Sequence, residues 1–245
     1  MLATAETPTL EFTAHHRCER CNAQARILAG QVYWESRRVE KPGDLLPETA
    51  LLSVTQLDRY CSRGGKKLEG ALDDLQLDVT GLVAVDVGAS TGGFTDCVLQ
   101  HGAARVYAVD VGHGQLAEKL RQDPRVVVMD RVNARHLTSD SFPEAIQLTL
   151  VDASFISLDK LLPAIAAFSP PNARLLALIK PQFEVGRAEA SKGRGVVSDD
   201  AVRAAAILRA LQHVEASGFA VLNDCACKLP GPKGNVEHFV LAQRT

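Results

Sequence analysis

The sequence predicts an α/β protein: a mostly parallel sheet of seven strands with helices on both faces, preceded by a small basic α+β module. Three observations carry that expectation. From residue 80 onward, short apolar runs alternate with stretches of helical spacing. The first of those runs ends in a glycine-rich turn that opens a helix. The basic residues gather at the front, where residues 1–67 hold ten Lys or Arg against eight acids. That part carries +2, and the remainder carries −4.

In the front module, Ala23, Ile27 and Leu28 recur at helical spacing, and Gly30 stops that helix. Gln31 to Trp34 reads as a strand, with turns at Glu35-Ser36 and Lys41-Pro42-Gly43-Asp44 before the apolar Leu51 to Val54. Thr55 to Gly65 is linker-like. Val83 to Val87 is the first strand of the larger part, Thr91 to Gly102 a helix, and Arg105 to Asp110 the second strand. Gln115 to Arg121 is helical, and Val126 to Met129 is the third strand, ending at Asp130. Leu148 to Asp152 and Leu175 to Ile179 are the fourth and fifth, with helical spacing from Leu158 to Phe168 between them. Val202 to Ser217 is a helix that Ser198 or Asp199 can cap and Gly218 can end. Strands near Ala220–Asn223 and Val236–Ala242 complete the sheet.

The chain has 245 residues, 46% of them hydrophobic and 23% charged. That is apolar material for one large domain with an appendage, and it excludes a largely disordered protein. No run approaches the roughly 18–20 apolar residues of a membrane-spanning helix. Met1 to Thr13 carries Glu6 and Glu11 and no apolar block, unlike a secretory signal. A soluble, cytoplasmic protein without a membrane partner is expected. The net charge of −2 taken alone argues against nucleic acid, but it averages two unlike parts.

Six cysteines, in a chain neither short nor marked as secreted, do not suggest a disulfide framework. Cys18 and Cys21, behind His15 and His16, have the spacing of half a zinc site. The other close pair, Cys225 and Cys227, is separated by one residue and completes it poorly. No metal is expected, and Cys97 reads as core.

The glycine-rich turn runs Asp86-Val87-Gly88-Ala89-Ser90-Thr91-Gly92-Gly93-Phe94. Its glycines let the backbone approach a ligand, and the helix start offers free N–H groups. Such a loop alone is shared by many nucleotide sites. Asp110, at the end of the second strand, stands where a carboxylate meets ribose hydroxyls. Asp86, before the first glycine, suits S-adenosylmethionine better than a dinucleotide. Asp130 ends the third strand, and Asn133 is placed to reach an adenine edge.

Four further polar residues require explanation: Lys67, Asp152, Lys180 and Glu237. The ends of the fourth and fifth strands are neighbours in a parallel sheet, so Asp152 and Lys180 are expected close together. A lysine ending a buried strand is costly unless paired or functional. A structural ion pair with Asp152 accounts for Lys180 as well as catalysis does. A sugar hydroxyl must lose its proton as it attacks a methyl group, and a lysine oriented by acids suits that task.

These residues lie within recognisable runs: Ser62-Arg-Gly-Gly-Lys-Lys-Leu, Asp86-Val-Gly-Ala-Ser-Thr-Gly-Gly-Phe-Thr, Asp110-Val-Gly-His-Gly-Gln-Leu, Asn133-Ala-Arg, Asp152-Ala-Ser-Phe-Ile-Ser-Leu, Lys180-Pro-Gln-Phe-Glu and Gly231-Pro-Lys-Gly-Asn-Val-Glu. In order, and over essentially all of residues 59–245, the sequence resembles the haemolysin-A (TlyA) family of ribosomal RNA 2′-O-methyltransferases. The family in turn is similar to the FtsJ-type RNA methyltransferases, with a Lys-Asp-Lys-Glu catalytic set. The resemblance implies a Rossmann-like methyltransferase fold, S-adenosylmethionine as cofactor, and methylation of cytidine 2′-hydroxyls in ribosomal RNA or ribosomal subunits. It places Lys67, Asp152, Lys180 and Glu237 in the catalytic set, with Lys180 as base. It also implies an S4-type RNA-binding domain over residues 1–58, a linker over 59–66, and an FtsJ-like domain over 67–245.

The front departs from that pattern. An Arg-Leu-Asp opening and first amphipathic helix are not recognisable in Met1–His16, and Glu35-Ser36 replaces an Asn-Gly turn. Arg17, Arg20, Arg26, Arg37, Arg38 and Lys41 still suit phosphates, and Arg63 and Lys66 are further candidates for RNA contact. The rival readings are a small-molecule methyltransferase, which needs neither the basic module nor four separated groups, and an RNA-binding or haemolysin-like protein without transferase activity. Glu184 to Val197, with Gly186, Gly193 and Gly195, is expected as a mobile lid.

Overall fold

The computed structural model describes residues 26–27, 32–35, 37–44, 46–47, 49–54, 58–185, 195–231 and 233–245. The chain forms two compact units, Met1–Asp58 and Arg59–Thr245. In the first, β1 (Val32–Trp34), β2 (Arg37–Arg38) and β3 (Leu52–Val54) form an antiparallel sheet in the order β2-β1-β3. Tyr33 is opposite Arg38 on one side and Ser53 on the other. The turn expected at Lys41–Asp44 is closed by Asp44, whose carboxylate accepts the N–H groups of Glu40 and Lys41 at 3.1 and 3.2 Å. Of the expected front helix, Arg26 and Ile27 are described and are helical. Arg17, Arg20, Cys18 and Cys21 lie outside the described residues.

The second unit opens with α1 (Arg63–Asp74), which begins inside the stretch expected as linker. Ser62 caps it by accepting the Gly64 N–H, a contact worth about 1 kcal/mol. The glycines that look linker-like are there for packing. A Cβ on Gly65 would lie 2.3 Å from the ring of Tyr60.

Strands β4 (Val83–Val87), β5 (Arg105–Asp110), β6 (Val126–Asp130), β7 (Leu148–Val151) and β8 (Arg174–Ile179) are parallel. Together with β9 (Phe219–Ala226) and β10 (His238–Arg244) they form one sheet, in the order β6-β5-β4-β7-β8-β10-β9. Strand β10 is antiparallel to both of its neighbours. Helix α2 (Gly93–Gln100) starts two residues later than expected, because Gly92 adopts φ +94 before the first turn. Helix α3 (Glu118–Arg121) is shorter than its sequence signal. Helix α4 (Leu162–Phe168) follows a 3₁₀ turn at Leu158–Lys160, and Lys180 precedes the single turn α5 (Pro181–Glu184). Helix α6 (Asp200–Ala216) is capped by Asp199, which accepts from Ala201 and Val202.

The sheet is buried on both faces. Leu68 and Leu72 of α1 and Phe94 and Val98 of α2 pack over Leu148, Leu176 and Phe239. Leu162 and Ile165 of α4 and Ala210 and Val214 of α6 pack over Val85, Leu175 and Val240. The strand order reverses between β4 and β7, which makes the carboxyl ends of those two strands the expected ligand crevice.

Candidate active site

A cavity of about 1210 Å³ lies at that point. It exceeds the roughly 300–1,000 Å³ of a small-ligand site and has room for a cofactor and a nucleotide together. Asp86, Gly88, Ala89, Ser90, Thr91, Gly93 and Phe94 of the glycine turn line it, as expected from the sequence. Gly88 sits at φ +86, and a Cβ there would come within 3.1 Å of the Asp152 carbonyl oxygen. The turn therefore fits directly against the chain that carries Asp152. A Cβ on Gly93 would lie 2.2 Å from Ser62 Oγ, so α2 also starts hard against the start of α1.

Asp86 is fully buried. Its Oδ2 accepts the Thr95 N–H at 3.0 Å and the Thr95 hydroxyl at 2.7 Å. Its Oδ1 is buried with no hydrogen-bond partner among the described residues. Burial pushes the Asp86 carboxyl up to about 7, against the pull of Thr95. The folded protein thus holds a proton there that the unfolded chain releases near pH 4, and stability falls as pH rises from about 4 to about 7. Asp86→Asn is expected to flatten that slope, worth at most about 4 kcal/mol. Thermal denaturation of both proteins between pH 4 and 8 measures it.

The remaining acids of the cofactor set do not line the cavity. Asp110 accepts the N–H groups of Ser90 at 2.8 Å and Gly112 at 2.7 Å, so it shapes the glycine turn from behind. Asp130 accepts the Gly114 N–H at 3.0 Å and pairs with His113 and Arg121, and these contacts hold its carboxyl low. Asn133 accepts the Arg135 N–H and caps a 3₁₀ turn. Gly92 is turned toward Leu116 and Leu120.

Lys67, Asp152, Lys180 and Glu237 all line the cavity, although they lie far apart in the chain. Asp152 and Lys180 stand one residue past the carboxyl ends of β7 and β8, and Glu237 one residue before the amino end of the antiparallel β10, so all three lie at one edge of the sheet. Lys180 Nζ is 2.6 Å from Asp152 Oδ1, and it donates to Ser154 Oγ at 2.9 Å and to the Asp152 carbonyl at 3.3 Å. Lys67 Nζ donates to Glu237 Oε2 at 2.5 Å, in a pair whose side chains are 8% and 2% exposed.

Several lining residues were not singled out from the sequence: Ser154, Phe155, Gln182, Phe183 and Asn235. All fall inside the runs that carry the resemblance, so a polar or aromatic residue two or three positions from Asp152 or Lys180 was the available signal. Phe155 is 91% exposed at φ +66, with its ring 5.4 Å from that of Phe183. Asn235 is buried, accepts the Val197 N–H at 2.9 Å and donates to the Gly195 carbonyl at 2.8 Å. These contacts hold one end of the segment expected as a lid, of which residues 186–194 lie outside the described residues.

Of the RNA candidates, Arg63 lines the cavity and donates to the Pro230 carbonyl, while Lys66 is exposed on α1. Arg37, Arg38 and Lys41 are exposed in the first unit and line a small cleft there with Trp34. Among the described residues, no group of three or more His, Cys, Asp or Glu could hold a metal ion, and no helix is long and apolar enough to cross a membrane.

S-adenosylmethionine carries a sulfonium and an ammonium group. Asp86, in the floor of the cavity with one oxygen unpartnered among the described residues, fits those positive charges, and a bound cation in turn favours its ionised form. A five-strand parallel sheet extended by a reversed strand, with this cavity at the switch point, defines a Rossmann-like S-adenosylmethionine-dependent methyltransferase. A methyltransferase of that kind from Mesorhizobium loti shares the fold at TM-score 0.52 and 17% identity, over 73% of this chain and 98% of that one.

Residues 60–244 match the FtsJ-like methyltransferase family, and the chain belongs to it. The 16S/23S rRNA (cytidine-2′-O)-methyltransferase TlyA of Mycobacterium tuberculosis is 44% identical over 223 residues, 90% of this chain and 83% of that protein. A candidate hemolysin from Lactococcus lactis has a solved structure that superposes at TM-score 0.74 with 44% identity, over 76% of this chain and 89% of that one.

Proposed function

We propose that the protein methylates cytidine 2′-hydroxyls of ribosomal RNA. The observation that carries this reading is the convergence of Lys67, Asp152, Lys180 and Glu237 in one cavity, beside the glycine turn. Asp86 and Phe94 hold the cofactor against the backbone of the turn from Gly88 to Thr91. When bound, S-adenosylmethionine would supply a methyl group on a sulfonium sulfur, which keeps the C–S bonding pair and leaves as a neutral thioether. Lys180 takes the proton of the ribose 2′-hydroxyl as that oxygen attacks the methyl carbon. Asp152 and Ser154 fix the Lys180 nitrogen, and the Lys67–Glu237 pair orients the ribose. Phe155, exposed at the mouth of the cavity, offers a stacking face to an unpaired base. Arg37, Arg38 and Lys41, with Arg63 and Lys66, contact RNA phosphates, and residues 1–58 serve as the RNA-reading domain.

The relative from M. tuberculosis supports the choice of substrate. The test is to incubate the purified protein and S-adenosylmethionine with ribosomal subunits and, separately, with deproteinised ribosomal RNA, and then to map 2′-O-methyl groups. New 2′-O-methylcytidine in either substrate is the expected result. A preparation that binds the cofactor and methylates neither would overturn the reading.

A further inference from the structure

The loop from Asp152 to Leu158 is tied down at both ends. At its start, Asp152 and Ser154 hold Lys180 Nζ. At its end, Glu184 reaches back from the last position of α5. Its Oε2 accepts the Ser157 hydroxyl at 2.6 Å, and its Oε1 accepts the Leu158 N–H at 2.8 Å. Glu184 is half-buried, and burial pushes its carboxyl up while the two hydrogen bonds pull it down. Arg209 of α6 donates to its main-chain carbonyl, which anchors α5 from the other side.

Between the two ties stands Phe155, at φ +66 and almost wholly exposed. A non-glycine residue in that region costs on the order of 1–3 kcal/mol and persists only where its surroundings over-determine it. The two ties supply that constraint. Lys180 and Glu184 flank one helical turn, so the loop and that turn are fixed to each other at two points about 6 Å apart along the turn.

We propose that Glu184 is a positioning residue for methyl transfer. Its bridge to Ser157 and Leu158 sets where the 152–158 loop lies against Lys180, and so holds Asp152 and Ser154 in register with the Lys180 nitrogen. The proposal rests on the reading of Lys180 given above. A mispositioning of about 1 Å is enough to lower turnover by about 100-fold.

The test compares Glu184→Ala, Glu184→Gln, Ser157→Ala and the Ala/Ala double variant, with Lys180→Ala as reference. Turnover and KM for ribosomal RNA are measured alongside cofactor binding by calorimetry. Glutamine can still accept the Leu158 N–H and donate to Ser157 Oγ. The expected result is a 10- to 100-fold fall in kcat for Glu184→Ala, on the order set by positioning losses, with KM and cofactor affinity within threefold of wild type. Glu184→Gln recovers most of that loss. Ser157→Ala shows a smaller fall, and the double variant is no worse than Glu184→Ala, because both act through one bridge.

Turnover within twofold of wild type in Glu184→Ala overturns the proposal. So does equal loss in Glu184→Ala and Glu184→Gln, or additive losses in the double variant. If Glu184→Ala does not fold, the kcat of Ser157→Ala and Glu184→Gln decides, and wild-type kcat in Ser157→Ala then overturns the proposal. Full activity in Lys180→Ala sinks the reading of the base instead, whatever Glu184 does.

Discussion

Lys180→Ala is expected to lower methyl transfer to ribosomal RNA by about 10²- to 10⁴-fold, the span that a positioned general base contributes. A ribose hydroxyl is a weak nucleophile, and the nitrogen at 180 has three oxygens of Asp152 and Ser154 around it to aim it. Cofactor binding should be little changed, because Thr95 holds Asp86 and Asp110 holds the glycine turn at Ser90, none of them through the Lys180 side chain. Lys180→Arg should not restore turnover, because a guanidinium stays protonated and cannot accept the hydroxyl proton. Transfer assays with both variants, beside a calorimetric titration of the cofactor, separate loss of chemistry from loss of binding. Retention of more than a tenth of wild-type turnover in Lys180→Ala would exclude Lys180 as the base.

Glu237→Ala is expected to cost about 3–5 kcal/mol of stability, because it strands the buried Lys67 ammonium. For a unit of this size that is on the order of 10 °C in Tm. Replacing both partners by apolar residues of similar volume, Lys67→Met with Glu237→Leu, should return most of the stability and none of the transferase activity. Thermal denaturation and transfer assays on the single and double variants give the two quantities separately. A double variant as unstable as Glu237→Ala would mean that the pair is not what holds this wall of the cavity.

The larger unit was legible because its strands are short apolar runs closed by acids or glycines, a pattern set locally. The glycine turn, Asp152 and Lys180 could be placed because each follows a parallel strand whose carboxyl end lies on one shared edge, and Glu237 because it precedes a strand running the opposite way. Lys67, on α1, is placed by the resemblance alone. Errors arose where tertiary contacts decide. Gly64 and Gly65 look like linker residues until Tyr60 is seen packed against Gly65. By sequence Glu184 starts a loop, because nothing in its neighbourhood shows that Ser157 and Leu158, 27 and 26 positions earlier, lie within its reach. The pairing of Lys67 with Glu237 across 170 positions is likewise a product of the sheet order and has no local signature.

That sheet order also bears on how the protein is made. Strand β10 comes late in the chain but lies between β8 and β9, so both of those strands have an open edge until it inserts. The cavity also lacks Glu237 until the same segment arrives, and non-local pairing of this kind forms slowly. During translation the chain emerges with its cofactor turn, its two lysines and Asp152 already out, yet with no closed cavity around them. The proposed active site is therefore complete only once Glu237 and residues 238–244 have entered the sheet.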